Sequence, residues 1–164
     1  VIFYSHRGNT EGPVSARENS PKYIDEAIEK GFHVEIDLRS VNDRLLLGHD
    51  FPTYPVSLMW LRERKSSLLI HAKDLHVACG LSTLRRVEPE YDFTFFCHST
   101  EPFVLMSNGL VWLHDMSCAY RMVEASTSYV LPLISMELVN TYPKQPNCAG
   151  VCSDFVSVLK EQWQ

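Results

Sequence analysis

The stretch His33–Asp50, HVEIDLRSVNDRLLLGHD, decides how the rest of the chain is read. Val34, Ile36 and Leu38 alternate with Glu35 and Asp37, so a strand over His33–Arg39 has one apolar face and two carboxylates on the other. A second apolar run, Leu45–Leu47, follows at once and ends in Gly48-His49-Asp50. Solvent decoration does not account for this pairing of two carboxylates on one strand face with a histidine just past the neighbouring run.

Working outward, apolar runs alternate with amphipathic ones. Strands are expected at Val1–Ser5, Ser67–Ala72, Asp92–Cys97, Leu110–Leu113 and Gly150–Cys152, with a short extended run at Arg44–Leu47. Ser20–Lys30 reads as a helix: Ser20 can cap it, Pro21 suits its first position, and Gly31 can end it. Leu75–Val87, Met116–Ala125 and Phe155–Gln162 read as helical, Glu101–Ser107 as a short helix or a turn, and Tyr129–Ile134 as an apolar run broken by Pro132. Such alternation predicts βαβ units and a mainly parallel sheet in one α/β domain spanning residues 1–164.

Chemically competent groups sit where the apolar runs end: His6-Arg7, Glu35 with Asp37, His71 with Lys73, His98, His114-Asp115 and Asp154. Each alone is ordinary. A His-Arg pair makes a surface turn, a lone histidine finds a structural hydrogen bond, and Asp154 caps the last helix. In a parallel β/α barrel, however, the carboxyl ends of all strands open onto one face, and scattered residues become one cluster.

Composition narrows the classes. At 164 residues, 45% hydrophobic and 11% aromatic, the chain can bury a core and is not disordered. A net charge of -5 argues against nucleic acid as the main partner. No apolar run approaches the ~20 residues of a membrane-spanning helix, and no secretory signal is visible at the start. The five cysteines are odd in number and form no regular framework, Cys148 and Cys152 being the one close pair. Reduced thiols, and with them a cytoplasmic location, are the expectation.

The segments SHRGN, ENSPKYIDEAIEKG, VEIDL and LGHD, in this order, resemble the glycerophosphodiester phosphodiesterase family, within the phosphatidylinositol-phospholipase-C-like phosphodiesterases. The likeness is dense from His6 to Asp50, loosens through IHAK and returns at GVCSDF. It implies a TIM-type barrel, here compact and incomplete, since 164 residues fall short of the usual length and the stretch Pro132–Pro146 leaves a strand missing or irregular. It further implies metal-dependent hydrolysis of a small glycerophosphodiester-like substrate. His6 and His49 would be the acid/base pair, Glu35 and Asp37 the ligands of a divalent cation (magnesium or calcium foremost), and Arg7 and Lys73 the phosphate binders. Asn19, beside Glu18, would position the His6-Arg7 loop or cap the first helix.

One departure from the family stands out: His71 occupies the place of a glutamate two residues before the phosphate-binding lysine. Imidazole suits softer cations than magnesium or calcium. His71, His98 and Asp154 are therefore second-tier candidates for the metal or the pocket wall. Two other readings share the scaffold. One is a non-catalytic phosphate-ligand binding protein, favoured by the lost carboxylate. The other is phospholipase-D-like cleavage of a lysophospholipid, which needs an apolar rim that no contiguous run of the sequence supplies.

Overall fold

The computed structural model describes all 164 residues. Ten strands form a single curled sheet in a mixed α/β fold. The parallel part runs β6 (Thr94–Phe96), β5 (Leu68–Ala72), β2 (His33–Val41), β1 (Ile2–His6), β10 (Cys148–Ser153), β9 (Tyr129–Pro132), β8 (Val111–Leu113). Three antiparallel ladders complete it, pairing β3 (Arg44–Leu47) with β2, β4 (Tyr54–Val56) with β3, and β7 (Phe103–Leu105) with β8. The sheet is thus mixed, not mainly parallel as the alternation of runs predicts.

The reasons are local. Asn42 and Asp43 both have positive φ, +49° and +58°, which these two residue types tolerate better than most. The chain therefore reverses straight from β2 into β3 as a two-residue hairpin instead of crossing over through a helix. Glu101–Ser107, expected as helix or turn, contains β7, because Pro102 and the alternating Phe103-Val104-Leu105 favour an extended edge paired to β8.

Helix α1 (Pro21–Glu29) starts at Pro21 as expected, but Ser20 makes no side-chain cap; Tyr23, Ile24 and Ala27 face the sheet. Together with α2 (Leu58–Glu63) and α3 (Leu75–Val87) it covers β2, β3 and β5, in a core that includes Ile24, Ile36, Leu38, Leu61, Ile70 and Val77. Helices α4 (Ala119–Glu124), α5 (Met136–Thr141) and α6 (Val156–Trp163) cover the other flank through Met122, Val139 and Leu159.

A third cluster fills the inside of the curl. Tyr4, Leu69, Phe96, Trp112, Val130 and Cys152 come from six different strands. The curl is an incomplete barrel: no ladder joins β6 to β7 or β8. Ser107 spans the seam, donating its N–H to Phe95 O (2.8 Å) while its hydroxyl accepts from Phe95 N (2.9 Å) and donates to Phe93 O (3.1 Å). No helix of the chain is long and apolar enough to cross a membrane. All five cysteines are free; Cys148 and Cys152 are buried, whereas Cys79 and Cys97 are exposed.

Candidate functional site

Strand β2 forks at Leu38: residues 34–38 pair with β5 and residues 38–41 with β3. Just before the fork, Glu35 and Asp37 face inward, and both are buried. The register sets Asp37 beside His71 of β5. His71 Nδ1 lies 3.3 Å from Asp37 Oδ1 and 3.8 Å from Glu35 Oε1. Glu35, Asp37 and His71 each offer a ligand atom within 4.8 Å of the others. Glu35 Oε2, Asp37 Oδ1 and His71 Nε2 are buried with no hydrogen-bond partner. Buried polar atoms without hydrogen bonds are costly, and a buried group of this composition could hold a metal ion. Two carboxylate oxygens and one imidazole fit a divalent cation, and the nitrogen donor extends the choice toward manganese or zinc.

The two carboxyls titrate in opposite directions. Burial and the nearby Asp37 charge raise Glu35 above its ordinary value, against the pull of His6, His71 and Arg7. Burial pushes Asp37 up as well. The contact with His71, the charge of Arg7, the hydrogen bond from Asn19 and the charge of Lys73 outweigh that and hold it below the usual carboxylate range. Arg7 Nε is 3.0 Å from Asp37 Oδ2, Asn19 Nδ2 donates to the same oxygen at 2.9 Å, and Lys73 Nζ is 3.5 Å from Oδ1. Asn19 also accepts from Asp37 N (2.9 Å) and donates its own N–H to Arg7 O (3.0 Å). It therefore positions the His6-Arg7 loop and does not cap α1, whose N-terminal flank is Ser20.

His6 ends β1 with Nδ1 at 2.8 Å from Asp154 Oδ1, while Nε2 faces Glu35 Oε2 at 4.0 Å. Asp154 follows β10, which pairs with β1, so two adjacent strand ends make this contact. Asn9 braces it, donating to both Asp154 (2.8 Å) and Glu18 (3.0 Å); Glu18 in turn accepts from Arg7 (3.2 Å). Burial lowers the His6 pKa, but the Asp154 hydrogen bond and the Glu35 charge more than offset it, leaving it raised. Asp154 is thus a partner of His6 rather than a helix cap.

His49 stands on the loop after β3, half-exposed, with Nδ1 2.7 Å from Asp50 Oδ1. Partial burial sets its pKa below the ordinary histidine value. His98, past the end of β6, stacks on His71 with ring centroids 4.7 Å apart and tilts against His114 at the same separation. Burial together with the His71 and His114 charges brings it down to about 4. His98 is a neutral wall residue at neutral pH, outside the carboxylate cluster.

One cavity of about 800 Å³ joins these groups. His6, Arg7, Glu35, His49, His71 and Lys73 line its polar end, above the buried Asp37. Trp112, Met116, Pro132, Ile134 and Leu138 supply an apolar wall to the same cavity. The strand-end residues therefore converge, with His49 reaching the same space from its loop. Asn9, Arg39 and the apolar wall escaped the sequence reading. Arg39 had a signal, two residues beyond Asp37 on the same strand face. Asn9 had one as well, as the last residue of the SHRGN segment; the wall had none, since its residues lie on separate elements. Comparison of the chain with protein-family models and with curated protein sequences finds no match.

Proposed function

We propose that the chain is a metal-dependent phosphodiesterase acting on a glycerophosphodiester-like substrate, with His6 and His49 as its acid/base pair. One observation carries this reading: buried Glu35, Asp37 and His71, each offering a ligand atom within 4.8 Å of the others, lie beside a cavity that His6, His49, Arg7 and Lys73 also line. A cation held there would offset charge building up on the phosphoryl oxygens. Arg7 and Lys73 orient the phosphate, Arg7 through its planar fork and Lys73 as a point charge. His49, neutral because its pKa is lowered, takes the proton of the nucleophile. His6, whose pKa is raised, delivers a proton to the leaving alkoxide from Nε2 while Asp154 fixes Nδ1.

The test is hydrolysis of glycerophosphodiesters with magnesium, calcium, manganese or zinc added singly, for the parent chain and for His6→Ala and His49→Ala. Cation-dependent release of the alcohol is expected from the parent, and release slower by roughly 10²- to 10⁴-fold from either variant. Binding of the phosphodiester without turnover under every cation would leave a phosphate-ligand binding protein instead. The apolar wall favours a second reading, cleavage of a lysophospholipid, because it supplies from separate elements the apolar rim that the sequence lacks as a run. Turnover rising with acyl length below micellar concentrations distinguishes the two.

A further inference from the structure

We propose that Arg39 is a positioning residue, fixing His49 relative to the Glu35–Asp37–His71 cluster; the inference rests on the acid/base role proposed for His49. Glu35, Asp37 and Arg39 occupy alternate positions on β2, so Arg39 continues their row on the same strand face. At that point β2 has left β5 and pairs with β3, with Arg39 opposite Leu46. No acidic side chain pairs with its guanidinium. Instead Nε donates to Gly48 O at 3.0 Å and a terminal nitrogen donates to His49 O. Gly48 N donates in turn to Asp37 O (3.0 Å). Three hydrogen bonds from two alternate residues of one strand thus hold the backbone on which His49 is carried.

The loop has little freedom to find that place by itself. Gly48 sits at φ +148°, and a Cβ there would come within 2.0 Å of Phe51 O. Beyond it the chain is exposed, Phe51 to 77%. The planar guanidinium suits two successive carbonyls; an ammonium can reach one of them, and an alanine neither. Reaction geometry tolerates little displacement, and a shift of ~1 Å can lower the rate by about a hundredfold. Arg39 acts through the His49 backbone, so its loss changes kcat and leaves KM nearly constant.

The experiment compares Arg39→Ala, Arg39→Gln and Arg39→Lys in the full chain. It measures kcat and KM on a glycerophosphodiester, the imidazole proton–carbon NMR signal of His49, and protease cleavage between residues 48 and 53. For alanine and glutamine a fall in kcat of about ten- to hundredfold is expected, with KM within about twofold, a displaced His49 signal and faster cleavage; lysine recovers part of each. Rates per folded molecule are used, with near-ultraviolet circular dichroism to count folded protein. An unchanged His49 signal and unchanged cleavage overturn the proposal, whatever the kinetics. So does a loosened loop with kcat intact. If the parent chain hydrolyses nothing, the phosphodiesterase reading falls. The signal and cleavage measurements still decide whether Arg39 holds the loop.

Discussion

His6 and His49 line the same cavity with opposite shifts, and the proposed roles of acid and base rest on that contrast. The rate should rise with pH as His49 loses its proton, below the ordinary histidine value of ~6.5, and fall as His6 loses its own above it. A bell with a plateau across that value is expected. His6→Ala should remove its alkaline limb and His49→Ala its acid limb, each lowering kcat by roughly 10²- to 10⁴-fold. Limbs assigned the other way round would reverse acid and base. The carboxyls give a second contrast. Glu35 is raised by burial and by Asp37, so its ionised form costs stability above its unfolded pKa of ~4.3. Glu35→Gln should therefore raise the melting temperature of the metal-free protein at neutral pH by about 2–4 °C while abolishing cation binding. Asp37 is depressed, and its contribution is present above ~3.9 and lost as pH falls toward its folded value. Asp37→Asn, which leaves Arg7 and Lys73 facing a neutral group, should destabilise by ~3 kcal/mol at neutral pH and flatten the acid limb of the stability curve. Urea titrations between pH 3 and 8 check both signs.

At the scale of elements, the seam of the curl depends on Ser107. Its backbone N–H and hydroxyl make three bonds to Phe93 and Phe95, across an edge where no ladder forms. Behind it Phe96 stacks on Trp112 with ring centroids 4.5 Å apart, and Phe96 in turn stacks on His71 at 4.7 Å. Ser107→Ala removes the two hydroxyl bonds and leaves Phe95 N without a partner, which should destabilise by about 1–3 kcal/mol. Loosening this seam should also reach the Glu35–Asp37–His71 cluster through the Phe96–His71 stack. Amide exchange at Phe95 should quicken in the variant; protection equal to the parent's would show that packing alone holds the seam.

For the whole molecule, a cation bound only by the folded state adds stability as RT ln(1 + [L]/Kd). At a hundredfold excess over Kd this is ~2.7 kcal/mol, a rise of about 5–10 °C for a domain of this size. Thermal melts with and without a chelator, over magnesium, calcium, manganese and zinc, measure it. The Glu35→Ala, Asp37→Ala double variant should show no such rise, and an equal rise in both proteins would place the cation elsewhere.

The features legible in the residues alone are local. The period-two pattern of HVEIDL fixes which residues share a strand face, and with it the pairing of Glu35 and Asp37. Pro21 and the Tyr23, Ile24, Ala27 spacing fix α1. The strand-end positions of His6, His71, Lys73 and Asp154 follow from where apolar runs stop. The antiparallel hairpins were less legible: a four-residue run such as Arg44–Leu47 carries no sign of its direction, and Glu101–Ser107 is too short to separate strand from turn. Which strand ends meet depends on the folded sheet. Asp154 comes to His6 across 148 residues because β10 pairs with β1, and the apolar wall exists because Trp112, Ile134 and Leu138 converge from different elements. Contacts of that kind depend on the curl of the whole sheet, and no window of sequence contains them.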